Sequence, residues 1–125
     1  MKQDDHIHIG FLIFPGFPMS CLTSMIEPLR AANEITGTDT FAWTLISETG
    51  AKTSASAHVA FEPDLALDAV DQIDQIYLLS GPSSTFGAPQ SANGKLRKLA
   101  RHGAMVGAGR GGIFPLAPAG SVAVP

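Results

Sequence analysis

Apolar residues fall along this chain in a few short runs and in stripes of helical spacing. Residues 7–14 (IHIGFLIF) are apolar on both faces from Ile9 onward, which suits a strand buried in a parallel sheet. Pro15-Gly16 ends that strand. Leu22, Met25, Ile26 and Leu29 then recur at spacings of three and four, marking the buried face of a helix that runs to about residue 33. Pro28 lies inside this pattern; without an N–H, and with its ring crowding the carbonyl of Ser24, it predicts a kink or a restart of the helix. Residues 41–47 (FAWTLIS) alternate as a second strand, and residues 53–61, after Thr49-Gly50, read as a short hairpin-like excursion. Residues 73–80 (IDQIYLLS) form a third strong strand that stops at Gly81-Pro82. Residues 93–102 (NGKLRKLARH) read as a helix with Leu96 and Leu99 inward and Gly103 at its end. Residues 104–108 are a short strand of small residues leading into a glycine-rich turn, 107–112, and a further apolar segment. The order strand, helix, strand, strand, helix, strand predicts an α/β layered domain with a mostly parallel sheet.

Composition narrows the picture. A chain of 125 residues that is 45% hydrophobic and 15% charged can bury a core and form one compact unit. A formal net charge of -3 carries no basic footprint, so this chain is not expected to bind nucleic acid by itself. Cys21 is the single cysteine and cannot form an internal disulfide, and the start MKQDDHIH lacks the basic and apolar regions of a leader. No apolar run approaches the roughly 18 to 20 residues needed to cross a bilayer, so a cytoplasmic protein without membrane contact is expected. After Gly120 only Ser-Val-Ala-Val-Pro remains, so the last strand-turn-helix unit has nothing to cover its far side. An α/β domain incomplete at its C-terminus is expected from this, prone to self-association as a homodimer or larger species.

The chemistry concentrates at Gly109-Arg110-Gly111. A strand that turns sharply into a helix strains its junction residue and needs small neighbours, which Gly109, Gly111 and Gly112 supply. Together with FLIFPGF, MIEPLRAAN and LLSG, the segment GAGRGGIFPLAPAG resembles the ThiJ/PfpI-like (class I glutamine amidotransferase-like) domain that precedes the DNA-binding helices of AraC-family, GlxA-type regulators. These matches span nearly the whole chain, and IEPLRAAN is the most specific of them. The resemblance implies a flavodoxin-like three-layer sandwich over residues 1–125, apparently truncated and with no helix-turn-helix in this chain. In enzymatic members the elbow residue is a cysteine approached by an acid from the first helix region. Here the elbow position falls on Arg110 and the acid's position on Cys21. A guanidinium stays protonated and offers no nucleophilic lone pair, so the thiolate chemistry of the family is absent at that position.

Each candidate also has a plainer reading. Arg110 is a candidate anion-binding residue at a helix N-terminus, or a solvated arginine. Glu27 matches an acid that the family keeps near the pocket; an N-cap-like contact to backbone amides is preferred for it. Cys21, near a helix start, could be a reactive thiol, but a buried structural one is preferred. His6 and His8 share a strand face, yet they lie at the amino end of the strand with no third ligand apparent, so no metal is expected. Gly107, Gly109 and Gly112 satisfy G-x-G-x-x-G, but the acid expected about 20 residues later is missing and Pro115 and Pro118 fall in the supposed helix. Ser80-Gly81-Pro82 could offer backbone N–H groups to a ligand or be a simple strand-ending turn.

The favoured reading is a non-catalytic, small-molecule-sensing domain of an AraC-type regulator, with no cofactor. Its pocket is expected at the carboxyl ends of the strands near Phe14, Gly16, Glu27, Gly81 and Arg110, with a preference for an anionic metabolite. The alternatives are a ThiJ/PfpI-type hydrolase, hydratase or glyoxalase using Cys21, and a degenerate fragment without independent function.

Overall fold

A computed structural model of the chain describes residues 6–109 and 122–123. Strand β1 (Ile7–Ile13) leads into helix α1 (Met19–Thr36) and strand β2 (Phe41–Ser47). Three short strands follow, β3 (Thr53–Ser54), β4 (Ala60–Phe61) and β5 (Leu65–Ala66), then a single 3-10 turn (Leu67–Ala69). Strand β6 (Gln75–Leu79), helix α2 (Pro89–Arg101), strand β7 (Met105–Gly109) and strand β8 (Val122–Ala123) complete the described elements. One sheet has the order β5-β2-β1-β6-β7-β8 with every pairing parallel, and β3 and β4 pair antiparallel as a separate hairpin. With the short β3, β4 and β5 set aside, this is the 2-1-3-4-5 order of flavodoxin-like folds.

The alternation along β1 separates two cores, because successive side chains point to opposite faces. Ile9, Phe11 and Ile13 join Phe17, Cys21, Leu22 and Leu79, with Met25, Ile26 and Leu29 of α1 packed on them. Leu12 and Phe14 join Ile46, Ile76 and Val106 on the other face, under Ala92, Leu96 and Leu99 of α2. The result is helix, sheet, helix. Gly10 sits on the α2 face, where a Cβ would meet the Cδ1 atoms of Ile73 and Ile46 at 2.4 and 2.7 Å. Its missing side chain is the space those isoleucines occupy.

Most predicted elements recur, and the differences have local causes. α1 is one continuous helix through Pro28, without a restart. Ser24 and Pro28 are both exposed, so the carbonyl that loses its helical partner can be hydrated, and the turns on either side hold. The helix also extends past residue 33 to Thr36, where Gly37, at φ 71°, donates its N–H to the carbonyl of Asn33. α2 begins at Pro89, four residues before the predicted start. Proline is well suited to the first helical turn, and the apolar stripe that signalled the helix sets in only at Ala92. Gly107 and Gly109 are residues of β7, paired with Tyr77 and Leu79, so this part of the G-x-G-x-x-G pattern is strand and forms no phosphate loop. The two-residue strands β5 and β8 carry too little periodicity to be read in advance.

The end of α1 is pinned to the start of β2 by one side chain. Asn33 donates from Nδ2 to the Phe41 carbonyl at 2.9 Å and accepts the Phe41 N–H on Oδ1 at 3.0 Å. This closes the αβ connection and sets where β2 enters the sheet. Asn33→Ala should therefore lower the stability of the chain by about 1–3 kcal/mol, since it removes two hydrogen bonds at a partly buried position. Urea unfolding checks this, and an unchanged midpoint would contradict it.

Candidate functional site

In a parallel α/β sheet, ligands settle outside the carboxyl ends of the strands where the strand order reverses. Here β1 connects to β2 on one side and neighbours β6 on the other, so the reversal lies between β1 and β6. The segments leaving those two strands are residues 14–18 (FPGFP) and 80–88 (SGPSSTFGA).

Two glycines bring the segments together. Gly16 has φ 85°, a left-handed conformation that an L side chain would strain. Gly81 lies so close to it that a Cβ on Gly81 would stand 2.6 Å from the Gly16 carbonyl oxygen. Around this contact four backbone amides have defined partners. Phe14 N donates to the Leu79 carbonyl at 3.1 Å, Gly16 N to the Ser54 carbonyl at 2.8 Å, and Phe17 N to the Phe14 carbonyl at 3.0 Å. Gly81 N donates to Ser84 Oγ at 2.8 Å, and that hydroxyl donates onward to the Pro15 carbonyl at 3.3 Å. Phe14 is buried, with its ring 4.9 Å from that of Phe86. The β3–β4 hairpin closes the far side. Ser56 N donates to the Phe17 carbonyl at 2.8 Å, and the rings of Phe17 and Phe61 meet edge-on at 5.1 Å.

Of the sequence-predicted residues, the structure unites Phe14, Gly16 and Gly81 in this crevice. Gly109 ends β7, beside Leu79 of β6, while Arg110 and Gly111 lie outside the described residues. Glu27 is not brought into the crevice arrangement. Its carboxylate is exposed and accepts from Nε and Nη2 of Arg30 at 2.9 and 2.7 Å, and Arg30 Nη1 reaches Glu34 at 2.7 Å. The N-cap-like contact to backbone amides does not form, because the i,i+3 arginine is the nearer and charged partner. The hydrogen bonds from Glu27 and then Glu34 push the Arg30 guanidinium further above its usual value. Cys21 is buried in the α1 core, where solvent does not reach its thiol.

His6 and His8 meet edge to face, with ring centroids 6.0 Å apart, at the amino edge of the sheet. They border a cavity of about 530 Å³ shared with Asp71, Asp74 and His102. Among the described residues no group of three metal-ligating side chains is placed to hold an ion. The Asp74 carboxylate is already engaged by the backbone N–H of His8 at 2.7 Å. Its lining is mostly exposed polar side chains, joined by the apolar Ile73 and Leu99. The crevice at the opposite edge is built from the buried ring of Phe14, the partly buried ring of Phe86 and hydrogen-bonded backbone.

Three contributors escaped the sequence reading. Ser84 and Phe86 lie in a segment without periodicity, where no spacing marks them. Glu48, at the end of β2, accepts the amides of Gly87 and Ala88 at 2.8 and 2.7 Å, a contact across some 40 positions.

No family model matches the chain. Sequence relatives do. The HTH-type transcriptional regulator GbdR of Pseudomonas aeruginosa is 31% identical over 112 residues, covering 90% of this chain and 30% of the relative. The HTH-type transcriptional regulator CdhR of the same organism is 32% identical over 120 residues, covering 96% and 34%. The chain thus spans about a third of the length of these curated relatives. Among solved structures, an AraC family transcriptional regulator from Pseudomonas putida superposes with a TM-score of 0.71 at 21% identity, over 82% of this chain and 55% of that one. A ThiJ/PfpI family protein from Pseudomonas syringae superposes with a TM-score of 0.61 at 11% identity, over 82% and 41%. The fold is therefore that of the ThiJ/PfpI class, an α/β sandwich with its crevice at the β1/β6 switch point. In sequence, the chain is similar to a part of HTH-type transcriptional regulators.

Gly81→Ala should lower stability by about 1–3 kcal/mol, because backbone, not a flexible side chain, must move to admit the methyl. Chemical denaturation of the variant measures this. Stability equal to that of the original chain would show that the two turns are not in contact.

Proposed function

We propose that this chain is the effector-sensing part of an AraC-type transcription regulator, and that it binds its effector without transforming it. The observation that carries the reading is the pairing of two facts. The chain matches regulators over at least nine-tenths of its length. Among the described residues assembled at its crevice, Phe14, Pro15, Gly16, Gly81, Ser84 and Phe86 bring no acid, base or thiol, and the carboxylate of Glu48 at its edge is taken by the Gly87 and Ala88 amides. The Ser84 hydroxyl donates to a carbonyl and so has no base to activate it. The likeness to ThiJ/PfpI proteins supports the fold and says nothing of catalysis here.

On this reading residues 1–125 form one ThiJ/PfpI-like unit that works in the cytoplasm. DNA binding belongs to the part of the relatives that the chain does not match, and the unit self-associates as a dimer. Arg110 follows directly on Gly109 at the carboxyl end of β7 and supplies a fixed positive charge, so the effector is a small anion. Glu27 is left out of the proposed site, because its carboxylate is taken by Arg30.

Calorimetric titration of small carboxylates and their neutral amides tests this. The chain should prefer the carboxylates. Arg110→Ala should weaken them roughly ten- to a hundredfold, the worth of a charge-assisted contact of about 1.5–3 kcal/mol, while leaving the amides nearly unaffected. Equal losses for both would show that Arg110 does not read charge, and binding of neither would contradict the sensing role.

A further inference from the structure

Residues 80–88 join β6 to α2 and form the α2-side wall of the crevice. Besides the bond from Ala92 N of α2 to the Ala88 carbonyl, hydrogen bonds among the described residues tie this segment to other elements at two places. One is Ser84 on the Pro15 carbonyl. The other is Glu48, which reaches across from β2 and accepts Gly87 N on Oε1 at 2.8 Å and Ala88 N on Oε2 at 2.7 Å. Between the two places Phe86 packs on Phe14. Ala88 is the N-cap of α2 and makes no side-chain cap of its own, so a carboxylate from another strand satisfies amides at the start of this helix.

We propose that Glu48 is the latch of the crevice: while its carboxylate holds Gly87 and Ala88, Phe86 stays on Phe14 and Ser84 stays between Gly81 and Pro15, and when it lets go the whole segment opens and exposes the Gly81 amide. This rests on the reading of the crevice as the ligand site and adds how access to it is controlled. Three features make Glu48 a switchable contact. It is the charged half of both bonds at this end of the segment. It is only partly buried, so water competes for it. A cavity of about 160 Å³ adjoins it, lined by Thr49, Asp68, Ser91 and Lys95 among others, which gives the carboxylate room to leave and a cation in the same space. Lys95 holds only a backbone carbonyl, that of Asp68, at 3.2 Å. The segment is short, so Gly87 and Ala88 cannot move away while Phe86, their immediate neighbour, stays in place. Release at Glu48 is thereby passed back to Ser84 and Gly81.

Amide hydrogen exchange resolved by NMR on the 125-residue chain tests the latch. Glu48→Ala should speed exchange at Gly87, Ala88 and Gly81 together by about tenfold or more, as loss of a charge-assisted hydrogen bond implies. Amides within β1 and β6, such as Phe11 and Leu78, should keep their rates. Labelling of Cys21, buried in the opposite layer, should also stay as slow as in the original chain. Glu48→Gln, which keeps one acceptor oxygen in place, should fall between the two and remain folded. Acceleration at Gly87 and Ala88 with Gly81 unchanged would overturn the proposal and leave Glu48 as a local helix cap. Acceleration everywhere, Cys21 included, would overturn it in favour of a contribution to global stability. No ligand enters this measurement, so its failure would leave the crevice reading standing, whereas failure of the carboxylate titration would remove that reading and leave the latch.

Discussion

A Cβ on Gly81 would stand 2.6 Å from the carbonyl oxygen of Gly16, and that single close approach is what the upper edge of the sheet is organised around. Neither turn could come so near if residue 81 had a side chain, and the β1–α1 turn could not present its carbonyl there without the left-handed backbone of Gly16. Once the turns touch, their remaining polar groups find partners at fixed positions. Ser84 bridges them, the β3–β4 hairpin caps one side, and Phe14 and Phe86 seal the floor. The parallel sheet beneath supplies the rigidity, because Leu12, Ile13, Ile76 and Leu79 are fully or almost fully buried between the two helical layers.

Among the described residues of this crevice, no nucleophile is shown beside a base. Acyl transfer or proton abstraction needs a nucleophile next to a base, or a carboxylate with a shifted affinity for protons. The described residues gathered here are aromatic rings, glycines, a proline, a serine whose hydroxyl is already engaged, and Glu48, whose carboxylate accepts the Gly87 and Ala88 amides. The thiol that could have done chemistry, Cys21, is packed in the α1 core instead. The histidine-lined hollow at the amino edge is bordered mostly by exposed polar side chains.

The sheet was legible in advance wherever one strand carries enough side chains to show a period. β2 was read over the same residues as the structure shows, and the 53–61 excursion is the β3–β4 hairpin. Apolar runs at 7–14 and 73–80 located the central pair, and with it the turns that hold Gly16 and Gly81 at the carboxyl ends of β1 and β6. Reading failed where a contact joins distant parts of the chain. Asn33 bonds to Phe41, and Glu48 to Gly87 and Ala88, through tertiary geometry that no local pattern encodes. Glu27 misled for the converse reason. Its family position suggested a pocket, but Arg30, one helical turn away, is a sufficient partner. The start of α2 was placed late because its first turn is stabilised by Pro89 and by the remote Glu48, not by apolar spacing.

The central claim is that a ligand enters between residues 14–17 and 80–86, at the carboxyl edge of the sheet. Titrating small carboxylates into isotopically labelled protein and following its backbone amide resonances tests this most directly. The largest shifts are expected to cluster on Phe14, Gly16, Phe17, Gly81, Ser84 and Phe86. Shifts concentrated instead on His6, His8, Asp71, Asp74 and His102 would place the binding site at the opposite edge and contradict it.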